Sequence, residues 1–156
     1  MQRNSIRQAA AGFLIVMWPV FASSSAAAAD AGPLGETITR ALRLLPRPAY
    51  KVVVVEAEAA QSPPHCKREQ VEAFVNHGER VVYLVRQGVT LQMASRGSGI
   101  FDYALATVIW HEMAHIDGAD EPKARLEEER LWTAFVLAGR VDRVRGLQYL
   151  ALLKKR

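Results

Sequence analysis

Residues Ile100 to Ile116 constrain the fold of this chain more than any other stretch. Ile100, Phe101, Tyr103, Leu105, Val108, Ile109, Trp110 and Met113 spread apolar side chains around nearly the whole circumference of a helix. A helix apolar on most faces has to be central, with other elements packed around it. Its last turns carry His111, Glu112 and His115. Residues four apart on a helix lie one above the other, so His111 and His115 present two imidazoles on one face, with Glu112 beside them. Gly118 is placed to stop this helix in the left-handed cap conformation.

The elements around it follow from periodicity and turn chemistry. Leu34 to Leu45 sets Leu34, Ile38, Ala41, Leu42 and Leu45 on one face, and Pro46 and Pro48 end that helix. Val52 to Val55 is a β-branched run within Tyr50–Ala57 and reads as a strand buried on both faces, or nearly so. Gln61 to Pro64 is a loop. Val71–Asn76 and Val81–Arg86 flank His77-Gly78-Glu79-Arg80 and read as a β-hairpin. Val89 to Ala94 fits either helix or strand. After the motif, Asp120-Glu121-Pro122 has an N-cap residue and a first-turn proline, opening a helix that runs to about Gly139. Asp142 caps a last helix over Arg143–Lys154. The sum is an α+β domain: a short sheet or hairpin packed on a central motif helix, with two helices after it.

The first residues are expected to lie outside this domain. Arg3 and Arg7 precede an apolar run, Ala9 to Ala22, and then small residues ending at Ala29. This is the three-part layout of a secretory signal peptide over residues 1–29, with the domain occupying 30–156. The run is short of the ~20 residues needed to span a bilayer, so no stable membrane insertion is expected after cleavage. The expected location is therefore periplasmic or secreted. Residues 30–156 carry 18 basic and 16 acidic groups. Their signs are mixed and no basic patch with interleaved aromatics stands out, which argues against nucleic acid as a partner. Cys66 is the single cysteine, so no intrachain disulfide staples the domain.

His111-Glu112-x-x-His115 resembles the motif of the zincin metallopeptidases, which carry it on a central helix after a small sheet. The resemblance implies that His111 and His115 bind Zn2+, that Glu112 activates the zinc-bound water as general base, and that an edge strand holds a peptide or protein substrate extended. Gly118 matches the longer metzincin pattern, but Glu121 stands where that pattern has its third histidine, and no methionine follows Met113. The chain therefore resembles a minimal gluzincin-like zincin. Glu121 is the first candidate for the third ligand, and Glu128, on the same helical face, the second. Ala124 between them would let the two helices approach closely. Glu127 and Glu129 read as solvated. Tyr103, His65, His77 and Tyr149 are candidate oxyanion donors, and Asp117 is a candidate acceptor for a ligand histidine. Read without catalysis, the same residues describe a zinc-binding envelope protein or a partner-binding module.

Overall fold

The computed structural model describes residues 32–56, 71–97 and 99–153. The expected signal segment, the 61–64 loop, His65 and Cys66 lie outside the described residues. Within them the architecture is α+β: α1 (Pro33–Leu42), β1 (Lys51–Val55), β2 (Ala73–Val75), β3 (Val81–Val85), α2 (Val89–Ser95), α3 (Gly99–Ile116), α4 (Glu121–Leu137) and α5 (Arg143–Leu153).

The three strands form one sheet in the order β1-β3-β2. β1 runs parallel to β3, with Val53 opposite Tyr83, and β2 runs antiparallel to it, with Phe74 opposite the same Tyr83. The hairpin between β2 and β3 turns at Gly78, whose φ of +80° is a backbone state that L side chains rarely adopt. Because side chains alternate across a strand, this register sorts the sheet into two faces. Val52, Val54, Ala73, Val75, Val82 and Leu84 join the core beneath α3, while Val53, Tyr83 and Phe74 lie on the other face, partly exposed. The expectation of a β1 buried on both faces is therefore corrected. Only Val52 of that strand is fully buried, because β1 is an edge strand and the described helices cover one side of the sheet. β3, paired on both edges, is the strand that carries Val82 and Leu84 at 0% exposure.

Val89 to Ser95, left open between helix and strand by its sequence, is the helix α2. It packs with α1 on α3. Arg40 of α1 ties the three together: its guanidinium donates to Asp102 Oδ2 at 3.0 Å and Oδ1 at 3.2 Å, and to the Ala94 carbonyl at 3.2 Å.

α3 is the central helix, with Ala104 to Ile109 and Met113 all buried. It ends as its sequence requires. Gly118 takes φ +88°, its N–H bonds to the His115 carbonyl at 3.0 Å, and the Ala119 N–H bonds to the Ala114 carbonyl at 2.9 Å. These paired bonds satisfy carbonyls that the helix end would otherwise orphan. One residue later Asp120 caps α4, its side chain accepting from the Lys123 N–H at 3.1 Å. The reversal lays α4 along α3 with Ala124, Glu128, Trp132 and Phe135 facing inward. Leu126, expected among the apolar positions of that helix, is 45% exposed.

α5 is locked to α4 by a small-residue contact. The buried Trp132 indole donates to the Gly146 carbonyl at 2.8 Å and packs, tilted, against the Tyr149 ring with centroids 4.3 Å apart. The apolar series Val144, Leu147, Leu150, Leu153 divides between two sides. Leu150 and Leu153 turn to the core, and Val144 and Leu147 are exposed.

A candidate metal centre on the central helix

The reversal at Gly118 brings the start of α4 back beside the last turns of α3, and three side-chain atoms meet there. His111 Nε2 and His115 Nε2 are 3.1 Å apart, His115 Nε2 and Glu121 Oε2 are 3.2 Å apart, and His111 Nε2 and Glu121 Oε2 are 3.5 Å apart. The triangle is nearly equilateral, and His111, His115 and Glu121 together can hold a metal ion. Of the two glutamates weighed from sequence, Glu121 is the one whose oxygen joins both Nε2 atoms.

The outer nitrogens of the two imidazoles are engaged from behind. His115 Nδ1 lies 2.9 Å from the Ala119 carbonyl. A carbonyl only accepts, so Nδ1 of His115 bears the proton and its Nε2 presents a lone pair. His111 Nδ1 lies 3.2 Å from Glu128 Oε2, off the line of a well-formed hydrogen bond, and is otherwise a buried nitrogen with no partner. The His115 Nε2 lone pair, the Glu121 carboxylate oxygen and His111 Nε2 thus converge within the triangle. Such a donor set repels itself unless a cation or a proton sits among its members. The donors therefore fit a metal ion.

Charge around the site follows from the same crowding. Burial pushes the Glu112 carboxyl up to about 7, against the pull of His111 and His115. His111 also rises above its ordinary value: burial works to lower it, but Glu128, Glu112 and Glu121 together outweigh that effect. Glu121 is held low. Partial burial disfavours its charge, while the Arg125 guanidinium 2.6 Å away and the two histidines more than offset that cost.

The triangle lines a groove of about 1150 Å³, bounded on its other side by β2 and the hairpin turn. Glu112 lines the same groove. β2 pairs only with β3 among the described strands, so its second edge is unpaired there and borders the groove.

Other sequence candidates are placed elsewhere. Asp117 accepts from Tyr50 Oη at 2.5 Å and pairs with Arg47, so it does not orient a ligand histidine. Tyr103 packs edge-on to Phe135 with ring centroids 5.0 Å apart, and Tyr149 packs, tilted, against Trp132. His77, exposed on the hairpin turn, borders the groove. Glu127 pairs with Arg130 away from the triangle.

Two participants had no place in the sequence expectations. Arg125 is signalled by its spacing, four residues after Glu121 on one helix. The Ala119 carbonyl has no side-chain signature at all. Glu128, the second ligand candidate, lies with its Oε2 3.2 Å from His111 Nδ1, on the far side of that ring from the triangle.

Compared with known protein families, curated proteins and solved structures, the chain gives no match, and its reading rests on this geometry.

Proposed function

We propose that the chain is an exported zinc-dependent peptidase of the zincin kind, with His111, His115 and Glu121 as ligands and Glu112 as general base. The observation that carries the reading is the triangle itself. Zinc bound tetrahedrally at ~2.0–2.1 Å sets its ligand atoms roughly 3.3–3.4 Å apart, and the three separations here are 3.1, 3.2 and 3.5 Å. Two histidines and one carboxylate are also a catalytic zinc donor set, which keeps a fourth position for water or substrate. The proposal of export rests on the layout of residues 1–29.

A zinc ion in this position supplies Lewis acidity toward a carbonyl and lowers the pKa of water to about 7. The chain's own residues supply the rest. Glu112, in the groove beside the ligands and with a carboxyl displaced toward neutrality, accepts the proton of the attacking water and passes it to the departing amine. The unpaired edge of β2 offers N–H and C=O groups to an extended peptide, adding it as a further strand across the groove. Glu128 and the Ala119 carbonyl hold the two imidazoles in the tautomers that leave Nε2 free. His77 and Arg80 border the groove within reach of a bound chain.

The test is Glu112→Gln in the full chain, assayed for zinc content and for cleavage of a quenched-fluorescent peptide library. We expect zinc content to be unchanged and cleavage to fall by ~100-fold or more. Equal cleavage by the variant removes Glu112 from the mechanism. Zinc retention with no cleavage of any peptide by the wild type moves the chain to the non-catalytic reading, a zinc-dependent binding module.

A further inference from the structure

The last helix is built the wrong way round for one that faces only water. Its inward side is Gly146, Tyr149, Leu150 and Leu153, which rest on α4 and the core. Its outward stripe, at helical spacing, is Val144, Gln148 and Ala151, with Leu147 on one side and Leu152 on the other. Val144 is 65% exposed, Leu147 52% and Leu152 59%, so the face turned to solvent is almost as apolar as the face turned to the core. Leu137, ending the preceding helix, is 82% exposed. Isolated exposed leucines need no explanation, but here four apolar residues, interrupted by Gln148 alone, run the length of α5.

Charge singles out the same region. Residues 137–156 contain six basic groups, Arg140, Arg143, Arg145, Lys154, Lys155 and Arg156, against Asp142 alone. Residues 30–136 contain twelve basic and fifteen acidic groups, so the excess positive charge of the domain is concentrated here. Arg143 and Arg145 are exposed and stand at the two margins of the outward stripe. Neither forms a side-chain ion pair among the described residues. An apolar strip bordered by arginines is what an interfacial helix presents. The strip enters the boundary between headgroups and acyl chains, and the guanidinium groups reach back to the phosphates. A nucleic acid would engage the arginines and leave the strip in water.

We propose that the outward face of α5 docks the domain on an anionic lipid surface, with Val144, Leu147, Ala151 and Leu152 in the interface and Arg143 and Arg145 on the phosphates. The docking is peripheral: among the described residues no helix is long and apolar enough to cross a membrane. It is independent of the metal centre and of the peptidase reading.

The experiment is sedimentation of the full chain with vesicles of phosphatidylcholine containing phosphatidylglycerol, and with phosphatidylcholine alone. The wild type is compared with Leu147→Asn/Leu152→Asn and with Arg143→Ser/Arg145→Ser. All four positions are exposed, so thermal midpoints should stay at the wild-type value, and the arginine pair tests the proposal even if the leucine pair unfolds. Residues 1–29, with Arg3 and Arg7 before an apolar run, are the same in every protein, so the contribution of α5 is read from the difference between the wild type and each variant. The expected result is stronger binding to the anionic vesicles that weakens with salt and falls ten-fold or more in each double variant, each basic residue near such a surface being worth about five-fold. Three outcomes overturn the proposal: equal binding to both vesicle types, binding unaffected by the variants, or a wild-type dimer or duplex-DNA complex that the variants disrupt while vesicle binding is absent.

Discussion

Among the described residues, Glu112 is the carboxyl whose environment is least comfortable for its charge. Its carboxyl is almost fully buried on α3 and is pushed up to about 7 from its ordinary 4.5. A carboxyl raised by folding favours the folded state while it is protonated. Its contribution is present below the unfolded value of about 4.5 and is lost as pH rises to about 7. Across that window the cost is on the order of 3 kcal/mol. His111, also raised, acts in the same direction: its contribution holds below the unfolded value and is lost as pH climbs through the folded one. In chelator-treated protein, Glu112→Gln should therefore match the wild type in thermal midpoint near pH 5 and exceed it near pH 8, because the amide has no charge to bury. Thermal melts at the two pH values decide it; a variant less stable than the wild type at pH 8 would show that the buried carboxylate is compensated. The two histidines and Glu112 were legible in the sequence because their spacing is set within one helix. The backing of His111 by Glu128 was not, because it depends on how closely α4 crosses α3.

Helix ends were the most readable elements, since their chemistry is local. Gly118 stops α3 and Asp120 caps α4 as their residue types require, and between them they fix the reversal that delivers Glu121. The run Val52–Val55 declared a strand but not its neighbours, so the single covered face of the sheet could not be read from it. α2, at seven residues, was too short to show a period. α5 showed a period but not which side the core would take, since that choice is made by a glycine. A Cβ on Gly146 would lie 2.5 Å from Val136 Cγ2, on a β-branched side chain with little rotamer freedom. Gly146→Ala should therefore destabilise the domain by about 1–2 kcal/mol: overpacking costs ~1–3 kcal/mol and better helix propensity returns up to ~1 kcal/mol. Val136→Ala in the same chain should recover part of the loss. Urea unfolding of the two variants measures both effects, and an alanine variant as stable as the wild type would mean that α4 and α5 are not held at this spacing.

At the scale of the whole molecule, the candidate metal centre joins elements that otherwise meet through a short turn. His111 and His115 belong to α3, which carries the core, and Glu121 begins α4, which carries Trp132 and through it α5. An ion bound by all three residues in the folded state alone stabilises that state by mass action, about 2.7 kcal/mol at a hundred-fold excess over its dissociation constant. For a domain of this size that is roughly 10 °C in thermal midpoint. Glu121→Ala removes the one ligand supplied by α4 and should abolish most of the zinc-dependent rise. Glu128→Ala leaves all three ligand atoms in place and loosens the His111 ring, a change worth ~10–100-fold in affinity, so its rise should return at higher zinc. Melting curves of the chelator-treated wild type and both variants across a zinc titration separate these cases. A wild type with no zinc-dependent shift removes the metal centre, and a rise lost with Glu128→Ala but kept with Glu121→Ala makes Glu128 the ligand. The ordered result, wild type above Glu128→Ala above Glu121→Ala, is the one the triangle of nitrogen and oxygen atoms demands.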